Sequence, residues 1–261
     1  LPGYPTDREK PMTRKHLTIL TGASRGLGLA MAEQLLARGR RVVAIARRAT
    51  ELAVPTGAEL LSWQADLADP APTAARLEAW LAAQDAAQLA SATLINNAGV
   101  VSALAPLSGS TGADLSNALR VGLEAPLLLT AAFLRATAAW TLPRKVLLIS
   151  SGLGRRAMAG SASYCAAKAG MDHLARAVAL EEAARPHGAR IVSLAPGVID
   201  TDMQIQLRTA DPLLFPERER FIGLKTGGQL DSPAQAAAKC LQVLDRADFG
   251  ANVVTDVREQ A

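Results

Sequence analysis

Tyr164 and Lys168 stand four residues apart in the run Tyr164-Cys165-Ala166-Ala167-Lys168. On a helix that spacing puts both side chains on one face. A free phenol, with a pKa near ~10, gives up its proton poorly at neutral pH. An ammonium one turn away stabilises the phenolate and is expected to lower that value. Such a pair can serve as general acid toward a carbonyl oxygen or as general base toward an alcohol. The same spacing also arises on ordinary amphipathic helix faces, so it gains meaning only in company. A second motif supplies some: Thr21-Gly22-Ala23-Ser24-Arg25-Gly26-Leu27-Gly28 follows an apolar run and opens a helical pattern. In that context a glycine-rich loop cradles phosphate. Gly22 allows a sharp turn, Gly26 lets a pyrophosphate approach the backbone, and Gly28 lets the helix pack closely. The helix N-terminus then favours the negative charge.

These motifs need a scaffold that alternates strands and helices. Apolar runs predict strands over 16–20, 41–46, 59–64, 92–96, 145–150, 190–194 and 251–255. Amphipathic or Ala-rich stretches predict helices over 27–38, 71–89, 113–139 (bent at Pro126) and 161–184. Ser232, Pro233 and Gln235 read as N-cap, first helical position and capping-box partner of a last helix ending near Arg246. The alternation implies parallel βαβ units: a single-domain Rossmann-type α/β fold, with a doubly wound parallel sheet and helices on both faces. Residues 1–15 read as a flexible leader outside the fold, with Pro2, Pro5 and Pro11 breaking any helix. Met12 is a candidate biological start. Residues 201–224, with Pro212 and Pro216, read as an irregular lid over the substrate.

Composition narrows the class. The chain has 261 residues, 49% hydrophobic, 20% charged and 3% aromatic. That supports a large core of helices on a sheet and excludes wholesale disorder. No run approaches ~18 consecutive apolar residues, so no membrane span is expected. Cys165 and Cys240 fit no metal or redox spacing, so no metal is expected and the cytoplasm is the expected compartment. The net charge is +4, but the basic residues concentrate locally at Arg38, Arg40, Arg41, Arg47 and Arg48. No basic run with interleaved aromatics is present, so a small anionic ligand is expected rather than nucleic acid.

With Asn96-Asn97-Ala98-Gly99 after the fourth strand and Pro196-Gly197-Val198-Ile199-Asp200-Thr201 after the sixth, the chain resembles the short-chain dehydrogenase/reductase family from about residue 16 to its end. The resemblance implies roles residue by residue. Gly22, Ser24, Gly26, Leu27 and Gly28 would hold the pyrophosphate, with Arg25 a further cofactor-binding residue of the loop, and Asp66 with Leu67 the adenine. Asn97, Ala98 and Gly99 would pass close to a ribose. Pro196, Gly197, Ile199 and Thr201 would fix the nicotinamide carboxamide. Ser151, thirteen residues before Tyr164, would orient the substrate carbonyl; Ser150 is expected to face the other way. Tyr164 and Lys168 would also contact the nicotinamide ribose. At the end of the second strand, where NAD enzymes carry an acid, stand Arg47 and Arg48. A guanidinium there suits a 2′-phosphate, and Arg25 adds a second cation, so NADP(H) is the expected cofactor.

One departure stands out. The family's helix asparagine, which helps hold a proton-relay water, is replaced by Gly122 in Val121-Gly122-Leu123. Asn117, five residues earlier, is expected to face elsewhere. The glycine either leaves room for an extra water or leaves the enzyme slow. Ser150-Ser151-Gly152-Leu153-Gly154 and the residues around Tyr164 resemble the sepiapterin and benzil reductase branch, which implies reduction of a vicinal dicarbonyl in an apolar pocket. Asp256 is then a candidate substrate anchor, beside its plain reading as a solvated tail carboxylate. Alternatives are a secondary-alcohol dehydrogenase and a low-turnover NADP-binding sensor. Helices 113–139 and 161–184 carry more Ala and Leu than one sheet face needs, so a homodimer or homotetramer through them is expected.

Overall fold

Short apolar runs bounded by turns become strands covered on both faces. The computed structural model, which describes residues 14–260, arranges them in one sheet. Its strands are β1 (Lys15–Thr21), β2 (Arg41–Ala46), β3 (Glu59–Gln64), β4 (Leu89–Asn96), β5 (Arg144–Ile149), β6 (Arg190–Ala195) and β7 (Val254–Asp256). Their order is β3-β2-β1-β4-β5-β6-β7, and every pairing is parallel. The chain winds outward from β1 in one direction and from β4 in the other. The connections that follow the two strands therefore leave in opposite directions and open a crevice at their C-terminal ends.

Alternate side chains of each strand feed two cores. On one face Leu17, Ile19, Val43 and Ile45 pack with Leu77 and Leu81 of α2 (Ala71–Ala82), Leu129 and Phe133 of α4 (Ala125–Ala136), and Met171 of α5 (Ala162–Ala183). On the other, Leu20, Val42 and Leu147 pack with Met31 and Leu35 of α1 (Gly26–Ala37) and with Leu241 and Leu244 of α8 (Pro233–Asp245). The capping box of α8 forms as the sequence implies: Gln235 N donates to Ser232 Oγ, and Ser232 N donates to Gln235 Oε1.

Several boundaries differ from expectation. Of the leader over 1–15, residues 1–13 lie outside the described residues, and Lys15 already belongs to β1. The helix expected over 71–89 stops at Ala82, because the Asp85 carboxylate accepts from Ala87 N at 2.9 Å and starts a separate 3-10 turn. β4 then begins at Leu89. The helix expected over 113–139 is α3 (Gly112–Leu119), a π-helical turn (Arg120–Glu124) and α4. The disturbance falls in the turn before Pro126, which has no N–H to donate back to the carbonyl of Gly122. The last strand is only Val254–Asp256, because Ala251 N turns back to Asp248 O at 2.9 Å. The combined helix 112–136 is long and apolar enough to span a bilayer, but half of that window is buried, as in a core helix.

Candidate active site

The crevice is built where β1 and β4 end. Gly22 has φ +68, and a Cβ there would lie 2.9 Å from Ala98 Cα. Only glycine lets the two strand ends approach this closely. Thr21 Oγ1 accepts from Asn97 N at 2.9 Å and from Ala98 N at 3.0 Å. Asn97 Nδ2 returns a bond to Thr21 O at 3.0 Å. Gly28 is tighter still: a Cβ there would sit 2.1 Å from Gly22 O, so the first turn of α1 packs directly on the loop. Asn96 faces inward and donates to Thr130 Oγ1 at 3.2 Å.

The resulting cleft encloses about 460 Å³. The glycine loop, Arg47, Asp66, Leu67, Asn97, Ala98, Gly99, Tyr164, Lys168, Pro196, Ile199 and Thr201 all line it. A dinucleotide fits this donor set. Helix α1 starts with no side-chain cap and no acid in its first turn, so its free N–H groups face the cleft ready for an anion. Arg47 lines the cleft at the end of β2, just beyond Ala46; Arg48 is exposed beside it and does not line the cleft. Arg25 is engaged elsewhere: Nη1 pairs with Asp202 Oδ2 at 2.7 Å. Asp66 lines the cleft while its Oδ1 accepts from Ala68 N at 3.0 Å, which orders the turn that carries it.

A second cavity of about 230 Å³ adjoins the first and shares Ser150, Tyr164, Pro196, Ile199, Thr201 and Met203 with it. Ser151 and Gly197 face this second cavity, Ser151 Oγ accepting from Leu153 N at 3.2 Å. Ser150 turns its hydroxyl inward to Asp172, as the expected opposite facing requires. Helices α6 (Asp202–Thr209) and α7 (Arg218–Thr226) roof the cavity with Met203, Gln204, Leu207, Arg220 and Phe221. Asp200 ties the roof down through Lys225 at 2.5 Å and Arg208 at 3.6 Å. The lining is not simply apolar: Arg156, Arg220, Arg258 and Asp256 stand among Val101, Leu153, Met158 and Leu207. Asp256 is no solvated tail group. It is buried at the end of β7, and Arg258 grips its carboxylate at 2.6 and 2.8 Å. Burial pushes its pKa up, but the Arg258 bonds outweigh that and hold it below the usual range.

Tyr164 stands at the junction of the two cavities, and its phenol interacts with the Ser151 hydroxyl. Lys168 is buried behind it, Nζ lying 5.6 Å from the ring centroid and donating to Ile149 O at 2.7 Å. The expected lowering of the phenol is reversed. Burial pushes Tyr164 up to about 12, against the Ser151 hydrogen bond. Burial also brings Lys168 down to about 8, opposed by the charge of Asp172. Desolvation of the charged form is the largest cause in each case.

Gly122 is closely approached where a side chain would start. A Cβ there would meet Ala167 Cβ at 3.0 Å, so the glycine lets the π turn pack against α5. Asn117, expected to face elsewhere, lines the nucleotide cleft one helical turn before Val121. Asp202 and Asp172 were not singled out from sequence. Asp172 did carry a signal, lying four residues beyond Lys168 on the same helix face.

A parallel sheet with a crevice at its switch point, a glycine-rich loop and a Ser–Tyr–Lys cluster between two cavities define a dinucleotide-dependent oxidoreductase. Known proteins agree. The sequence pattern of the short chain dehydrogenase family matches residues 16–212. A benzil reductase ((S)-benzoin forming) of Bacillus cereus is 34% identical, covering 92% of this chain and 98% of that one. A sepiapterin reductase of Meriones unguiculatus is 34% identical, covering 90% and 94%. A metagenomic short-chain oxidoreductase crystallised with NADP superposes with a TM-score of 0.68 at 28% identity, covering 94% and 96%. The chain belongs to the short-chain dehydrogenase family and is an oxidoreductase acting on alcohol or carbonyl groups.

Proposed function

We propose that this enzyme is an NADPH-dependent carbonyl reductase whose substrate is a ketone, with a vicinal dicarbonyl as the substrate class. The observation that carries the reading is Tyr164 at the seam between the nucleotide cleft and the second cavity, with Ser151 beside its hydroxyl. Arg47 at the cleft edge, with no acid at the end of β2, supports NADPH over NADH. Bound NADPH supplies the hydride that reduces the carbonyl carbon. Ser151 Oγ–H donates to the carbonyl oxygen and orients it. Tyr164 Oη–H gives its proton to that oxygen as charge develops there. Lys168 stabilises the negative charge left on the phenol oxygen. Tyr164, pushed up to about 12 by burial, carries at pH 7 the proton that this step needs.

The roof formed by α6 and α7 acts as the substrate lid of a single domain. The names of two relatives support the dicarbonyl class. Exposed Leu127 on α4 and Leu180 on α5 support a homodimer through these helices. Free Cys165 and Cys240 suit a reducing, cytoplasmic setting. The test is NADPH consumption with benzil, small 1,2-diketones and sepiapterin, beside an NADH arm and Tyr164→Phe. Turnover that prefers NADPH and drops at least about 100-fold in Tyr164→Phe is expected. Tight NADPH binding with no turnover would instead support the sensor reading.

A further inference from the structure

Asp172 lies one helical turn beyond Lys168 on α5, is only 1% exposed, and has no part in the steps above. A buried carboxylate is costly unless well paired. Its partners come from both strands beside the site. Oδ1 accepts from Ser150 Oγ and from Ser193 Oγ, each at 2.6 Å. Ser150 immediately precedes Ser151 at the end of β5. Ser193 lies on β6, three residues before Pro196 of the loop that lines both cavities. One carboxylate oxygen thus ties together the three elements that carry Ser151, the Tyr164–Lys168 pair and the Pro196 loop. The other oxygen, Oδ2, has no hydrogen bond. Its nearest cation, Arg155 Nε, is 3.9 Å away, too far to donate. The turn after Ser151 closes over it, since a Cβ at Gly154 would sit 2.5 Å from Oδ2.

We infer that Asp172 is a positioning residue for the reaction: it clamps the Ser151 strand end to the Tyr164–Lys168 helix, and it sets a carboxylate one helical turn from the Lys168 side chain. The clamp alone does not require a charge, since an asparagine side-chain oxygen could accept from the same two serines. The charge has a separate recipient. Among the described residues, Tyr164 lies beside the Lys168 ammonium and Asp172 is the charge that acts on it, while Arg155 on the turn after β5 faces Asp172 rather than Lys168. From β5 the ammonium meets only the Ile149 carbonyl, and from the loop after β4 only the backbone at Gly99. Among the described residues Asp172 is the anion that acts on Lys168, and Arg155, 3.9 Å from Oδ2, is the cation placed to offset it. Burial alone works against the ammonium, and the Asp172 charge is what opposes it.

This inference rests on Lys168 serving in the proposed reduction, but its test needs no substrate. The full-length protein is labelled with 13Cε-lysine, and Lys168 is assigned by its loss in Lys168→Met. Its titration is followed by NMR in wild type, Asp172→Asn and Arg155→Gln. Asp172→Asn is expected to lower the Lys168 midpoint by at least about half a pH unit, about a threefold fall in the ammonium-to-amine ratio at fixed pH. Arg155→Gln, which removes the offsetting cation, is expected to raise it. In turnover, the alkaline limb of kcat/KM should move in the same two directions. Unchanged midpoints in both variants, with only a lower Tm in Asp172→Asn, would overturn the inference and leave Asp172 a structural clamp. If Asp172→Asn does not fold, Arg155→Gln decides alone, since no upward shift there also overturns it. A chain that turns over no carbonyl yet shows both shifts would sink the reductase reading while leaving the Asp172 assignment standing.

Discussion

Asp202→Asn should tighten NADPH binding and leave NADH binding unchanged. Arg25 sits in the glycine loop, where a guanidinium can help hold a 2′-phosphate, but it pairs with Asp202 at 2.7 Å across the mouth of the cleft. Binding the phosphate through Arg25 means giving up that pair. The two side chains are 56% and 69% exposed, so the pair is an exposed one, worth about 0.2–1 kcal/mol. Removing the carboxylate frees Arg25 at no cost on binding, which predicts a Kd for NADPH about 1.4- to 5-fold lower. NADH lacks the 2′-phosphate and gains nothing. The assay is fluorescence titration of both cofactors with wild type and Asp202→Asn at low ionic strength. A repeat near 0.5 M salt should erase most of the gain, because screening acts on exposed charges. Equal tightening of both cofactors would mean that the substitution acts through α6 and the lid, and weaker NADPH binding would mean that Asp202 itself holds the site together. Either result would refute the reasoning.

Three further outcomes are expected. Measured as kcat/KM for NADPH, which reports the free enzyme, the reduction rate should be level through pH 7 and fall above about pH 8. Lys168 loses its charge there, whereas Tyr164, at about 12, adds no limb in that range; a level profile to pH 9.5 would contradict this. Gly122→Asn should not raise turnover and should cost about 1–3 kcal/mol in urea unfolding, because its Cβ would meet Ala167 Cβ at 3.0 Å. Arg144→Met should leave NADPH affinity unchanged but lower stability. It strands the buried Glu182 carboxylate, whose remaining support is Arg185 at 3.4 Å and Ala189 N at 2.8 Å. A loss of about 3 kcal/mol, or roughly 6–12 °C in Tm, is expected by calorimetry.

The parts of the fold legible in the sequence are those set by local pattern. Continuous apolar runs give strands buried on both faces, and the capping box at Ser232 and Gln235 marks the start of α8 to the residue. The glycine loop is legible for the same reason: Gly22 and Gly28 are fixed by backbone approaches within one strand–turn–helix unit. Boundaries failed where one side chain redirects the backbone. Asp85 is one case. The π turn before Pro126 is another, since a proline predicts a disturbance but not which turn absorbs it.

Interactions between distant segments were not legible. Arg25 and Asp202 are 177 positions apart, so the sequence showed two charges but not that one occupies the other. The Tyr164–Lys168 pair shows the same limit in its electrostatics. Spacing correctly placed the two on one helix face, and pairwise reasoning then predicted a lowered phenol. Burial, which depends on the sheet ends and loops packed around α5, outweighs that effect and pushes the phenol up to about 12. Gly122 follows the same logic. One sequence shows that the family's asparagine is missing, but only the packing shows that Ala167 crowds the space beside it. The replacement is first a close contact between the π turn and α5. Since α5 also carries Tyr164, Lys168 and Asp172, that contact lies on the catalytic helix itself. An asparagine restored at Gly122 would therefore press on the helix that carries the tyrosine it was meant to serve.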